Sequence, residues 1–172
     1  MIALMFALAC GPSSDDIAGN LASTNPVVRE DTAKIARNFG SVAVEEALIG
    51  VLGDDEAKVR YNAVESLVEL ESSAAVEQLI ARLDSESQPA VRRAGVDALG
   101  RLGDASAVPA LIAHLEARVE APPLNVIWAL GALEDGRALP VLTRLRSSPD
   151  AYVRWNVNQA LRKLRPAPTT EG

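Results

Sequence analysis

The chain has 172 residues, 48% of them apolar and 23% charged, which suffices for one domain with a sizeable core and argues against intrinsic disorder. A single cysteine and a single histidine exclude a disulfide framework and a Cys/His zinc cluster. The formal charge of -6 excludes an obvious nucleic-acid surface, although it is uneven: residues 1–86 carry net -9 and residues 87–172 net +3.

In chain order, Ile2 to Ala9 comes first, an apolar run too short to span a bilayer but long enough for the core of a secretory signal. It ends at Cys10 and gives way to the polar Gly11-Pro12-Ser13-Ser14. Leu8-Ala9-Cys10 resembles the lipobox of bacterial lipoproteins. That resemblance implies a signal peptide over 1–9, a lipid on Cys10 and a linker to residue 13. It also implies export to the bacterial cell envelope, with membrane contact through the lipid alone, at the periplasmic or outer leaflet.

From residue 14 to 165 the chain repeats itself. Val-Arg pairs stand at Val28-Arg29, Val59-Arg60, Val91-Arg92 and Val153-Arg154, in steps of 31, 32 and 62 residues. Pro122-Pro123 occupies the missing place. Each pair opens a helical stripe, such as Ala63, Val64, Leu67 and Leu70, or Val126, Ala129, Leu130 and Leu133. A second stripe follows in each unit: Val44, Leu48 and Leu52; Leu79, Ile80 and Leu83; Val108, Leu111 and Leu115; Leu139, Leu142 and Leu145. Breaks such as Leu102-Gly103-Asp104 separate the two, and Pro109 and Pro140 fall in the first turn of the second helix, where no N–H is needed.

Ile17 and Leu21 predict a half-repeat over 14–22 that caps one end, and 150–164 a last helix without a partner helix after it. Residues 166–172 read as a disordered tail. The expected fold is all-α, an α-solenoid of about four and a half helix–turn–helix repeats.

Units such as Pro89-Ala90-Val91-Arg92-Arg93-Ala94-Gly95-Val96-Asp97-Ala98-Leu99-Gly100-Arg101-Leu102-Gly103-Asp104, followed by Ala107-Val108-Pro109-Ala110-Leu111-Ile112, resemble short bacterial HEAT-like repeats of the phycobilisome-lyase type. The resemblance implies an Asp–Arg ladder between successive turns, for which Asp55 and Arg60, Asp84 and Arg92, and Asp150 and Arg154 are the candidates. It also implies a concave face lined by second helices. Carried onto this chain, the partner-binding candidates there are Glu46, Glu77, Gln78, Arg82, His114 and Arg144, running from acidic to basic.

Little points to catalysis. The doublets Glu45-Glu46, Asp54-Asp55-Glu56 and Glu134-Asp135 read as exposed turns rather than paired general acid and base, and Asp54-Asp55-Glu56 lacks the carboxylate spacing of a calcium loop. No catalytic residue, metal site or cofactor is expected. Trp128 reads as packing, and Tyr152 and Trp155 as a shield for the open end of the stack. The stretch Glu116 to Pro123 interrupts the ladder, either as a loop variant or as a notch for a partner. The leading expectation is a non-catalytic protein-binding scaffold or adaptor of the envelope. Its alternatives are a bilin-lyase-like subunit and a solenoid that self-associates in a salt-sensitive way.

Overall fold

Short helices joined by tight turns make up the computed structural model, which describes residues 11–164. The expected signal peptide, Cys10 and the expected tail from 166 lie outside the described residues. Among the described residues there is no strand, and no helix is long and apolar enough to cross a membrane. The fold is an all-α solenoid of helix–turn–helix repeats, and its helices fall into two compact units divided after Ala75.

The first unit holds α1 (Ser14–Leu21), α2 (Pro26–Ile35), α3 (Val42–Gly50) and α4 (Ala57–Glu69). Each start has a local cause. Ser13 and Asp16 form a reciprocal capping box on α1, so Ser13 is a cap rather than linker. Asn25 caps α2 with Pro26 just behind it, and Ser41 caps α3. α2 packs on α4, and α1 on α2 and α3. The half-repeat α1 buries Ile17 and Leu21, and Val44, Leu48, Val59, Ala63 and Leu67 fill the core around them. Each such large side chain contributes about 1.5–3 kcal/mol by leaving water. The buried Ser66 hydroxyl is satisfied by donating to the Ala33 carbonyl at 2.6 Å.

The second unit holds α5 (Val76–Arg82), α6 (Pro89–Leu102), α7 (Val108–Glu116), α8 (Leu124–Ala132), α9 (Leu139–Leu145) and α10 (Ala151–Lys163). First helices stack in series, α6 on α8 and α8 on α10, while α5, α7 and α9 lie against α6, α8 and α10. Two glycines permit this spacing. A Cβ at Gly100 would lie 2.9 Å from the Ala129 Cα, and one at Gly131 would lie 2.7 Å from the Ala160 Cα. Single 3-10 turns lead into α7 and α9, capped by the carboxylates of Asp104 and Asp135. Gly103 closes α6 in the left-handed conformation, φ 75°, but the equivalent residues after α4 and α8 are Glu71 and Glu134, φ 53° and 52°.

The recurrent arginines clamp backbone. Arg29, Arg60, Arg92 and Arg154 each donate from Nη1 to the carbonyl six residues back, on Ser23, Asp54, Glu86 and Ser148, at 2.7–2.8 Å. Each therefore locks the turn that opens its own repeat. This corrects the expected pairings. Asp55 meets Arg60 only through its main-chain carbonyl, Asp84 pairs with His114 and Arg118 instead of Arg92, and Asp150 caps α10 through the Tyr152 N–H. The guanidinium stem runs back along its own helix, which brings it to carbonyls before it reaches a carboxylate. A true inter-repeat bridge does exist one residue away from the expected position. Arg29 Nε and Nη2 hold the two oxygens of Asp54 at 2.6 and 2.9 Å.

Candidate functional site

Of the expected partner-binding residues, Glu46 is exposed on α3 in the first unit. In the second unit Glu77 and Gln78 are exposed on α5, while Arg82 is half-buried with its guanidinium 4.0 Å from the Glu86 carboxylate. Arg144 is exposed on α9 and bonded to Glu116, so its charge is already matched. His114 departs from the expectation, being 3% exposed and hence no free surface residue. Its position on α7 turns the ring inward, where Nδ1 lies 2.6 Å from Asp84 Oδ1 and 3.1 Å from Arg118 Nη1. Asp84 and Arg118 themselves stand 3.5 Å apart.

Beside this triad lies a cleft of about 220 Å³ lined by Arg92, Arg93, His114, Arg118, Pro123 and Asn125, among others. It sits where the Glu116–Pro123 stretch departs from the repeat, so the interruption coincides with an opening in the surface. Asn125 Nδ2 donates to the Arg93 carbonyl at 3.4 Å along one wall. Of the three guanidiniums in this lining, that of Arg118 lies 3.5 Å from Asp84 and that of Arg93 3.9 Å from Asp97. The chemistry of this lining is recognition of an anion. Among the described residues no group of three or more His, Cys, Asp or Glu could hold a metal ion.

A second opening, about 90 Å³, lies between α8 and α10 and is lined by Trp128, Gly131, Trp155, Asn156, Gln159 and Lys163. The expected shield at the stack end is not formed, because Trp155 is 61% and Tyr152 75% exposed. Trp128 packs one ring edge over Gly100 yet remains 41% exposed. The sequence held a clue. Trp128 falls between the buried positions Ile127 and Ala129, and Trp155 lies two residues from the buried Val153 and Val157, so both are off their helix's apolar stripe. Exposed indoles in a chain with only 3% aromatics are the side chains best suited to anchor a protein partner.

Comparison with known proteins agrees with this architecture. The family model for HEAT repeats matches residues 17–94 and 76–162. Among solved structures, the chain is similar to one from the complex of CpcE and CpcF of phycocyanin lyase from Nostoc sp. PCC7120, with a TM-score of 0.71 and 28% identity. The match covers 91% of this chain and 66% of that one, so the chain spans just under two thirds of its neighbour's length. No curated protein matches the chain in sequence.

Proposed function

As the chain belongs to the HEAT-repeat family, we propose that it works as a lyase-type subunit, a HEAT module that acts by pairing with a second protein. The observation that carries this reading is the likeness over 91% of the chain to a structure that is itself a complex of two different proteins. The exposed Trp128 and Trp155 groove supports it, since interface energy concentrates in such aromatic anchors. The comparison thus favours the bilin-lyase-like alternative over the envelope adaptor. It also sets the expected non-catalytic role against a neighbour from an enzyme, so bilin chemistry belongs in the test.

The test mixes the full chain with CpcE and with CpcF separately, and follows mass by analytical ultracentrifugation. Each mixture is then incubated with a free bilin and apo-phycocyanin, and visible absorption is recorded. A heterodimer with one subunit is the expected result, and a shifted, covalently retained absorption band adds lyase activity to it. No complex with either subunit, together with an unaltered bilin spectrum, overturns the reading.

The envelope adaptor remains as a second reading because Ile2–Ala9 and Cys10 match a lipoprotein signal in the sequence. Mass spectrometry of the chain expressed in a bacterium tests it directly. A mature protein beginning at a diacylated Cys10 supports export, and an intact Met1 terminus overturns it.

A further inference from the structure

The two repeat periods between Arg29 and Arg92 allow one unit to be compared with the other residue by residue. Arg92 and Ala117 stand 63 residues after Arg29 and Asp54. The flanks keep the same register, since Leu115 follows Leu52, and Pro122 follows Val59, at the same interval of 63. Even the clamp is reproduced: Arg29 Nη1 donates to the Ser23 carbonyl at 2.8 Å, and Arg92 Nη1 donates to the Glu86 carbonyl, again 63 residues on, at 2.7 Å. The difference lies in the rest of the guanidinium. Arg29 spends Nε and Nη2 on the Asp54 carboxylate. Arg92 has Ala117 at that register, and among the described residues its Nε and Nη2 meet no protein acceptor.

We propose that the cleft bounded by Arg92, Arg118 and Pro123 binds a carboxylate from another molecule, in the place that Asp54 holds beside Arg29. The fork of Nε and Nη2 is planar and spaced for two oxygens, which selects a carboxylate over a single-oxygen ligand. Pro123 replaces the arginine of the repeat pattern at the edge of the cleft, whose volume of about 220 Å³ is room for an acidic side chain and its neighbours. Arg118 stands at the rim, where its contact with Asp84 and His114 holds it in position. The carboxylate has two chemically equivalent sources, an acidic side chain of a partner protein or a propionate of a tetrapyrrole. Only this choice of source rests on the proposed subunit role.

The probes are a terminally blocked hexapeptide with one central glutamate in Gly-Ser flanks, carrying a neutral boron-dipyrromethene dye without a carboxylate, the same peptide with glutamine, and biliverdin. Binding to the full chain is followed by anisotropy for the peptides and by visible absorption for biliverdin. The glutamate peptide or biliverdin is expected to bind, with the glutamine peptide at least about tenfold weaker than its glutamate counterpart, because charge-assisted bonds are lost. Arg92→Gln should weaken binding by a similar factor. Binding of the peptide alone assigns a protein partner, and of biliverdin alone a tetrapyrrole. The proposal is overturned if neither carboxylate binds, or if a folded Arg92→Gln chain binds as the parent does. Heterodimer formation is measured separately, so a failed pairing with lyase subunits and a failed carboxylate site give different results.

Discussion

Gly131 on α8 admits Ala160 of α10 so closely that a methyl group added at Gly131 would lie 2.7 Å from both the Ala160 Cα and Cβ. Backbone cannot move aside as a flexible side chain can, so the two helices must separate to take the extra carbon. Gly131→Ala should therefore lower stability by about 1–3 kcal/mol, although alanine is the better helix former. Denaturant unfolding of the two chains checks this, and equal midpoints would refute the close-packing account. Gly95→Ala is the control on α6, because nothing lies within 4 Å of a Cβ there.

The left-handed residue after α4 gives a prediction of opposite sign. Glu71 is exposed and has φ 53°, where an L side chain crowds the following carbonyl. Glu71→Gly should stabilise the protein by about 0.5–1 kcal/mol, the relief of that crowding less the greater unfolded-chain entropy of glycine. Thermal melts would show it, and a destabilised variant would contradict the conformational argument.

The Arg29–Asp54 bridge makes stability fall in acid. The fork from Arg29 holds the Asp54 carboxyl below its ordinary value of 3.8. A group depressed in the folded state stabilises it above the unfolded pKa and ceases to do so as pH falls through the folded one. Asp54→Asn should therefore melt several degrees below the parent near neutral pH, and the gap should close as pH falls below about 4. A gap that is constant with pH would place the loss in packing rather than charge.

Arg154 clamps two carbonyls, as Arg60 does, with Nη1 donating to the Ser148 carbonyl at 2.7 Å and to that of Pro149 at 2.8 Å. Arg154→Ala should cost about 2 kcal/mol by leaving both carbonyls without their charged donor. Faster amide exchange at the start of α10 is the local signature, and unaltered protection there would count against the clamp.

Particular residues show how far a linear reading reaches. Ile17 and Leu21 announced the half-repeat α1, Pro109 and Pro140 marked the first turns of α7 and α9, and Gly103 ended α6, since each acts within one turn of its own helix. The ladder carboxylate is Asp54 and not its neighbour Asp55, because a ladder position is defined by the facing turn and not by distance along the chain. Glu71 and Glu134 took a conformation that the pattern reserves for glycine, showing that closure of the repeat outweighs a local cost.

The sequence by itself determined the repeat period, the helix boundaries and the apolar stripes, because capping, proline placement and 3.6-residue periodicity are local properties. Tertiary structure alone decided that His114 is buried against Asp84 and that Arg29 is bridged by Asp54 and not by Asp55. Those outcomes depend on how one helix lies against the next, and a rotation of one residue, about 100°, exchanges a buried position for an exposed one.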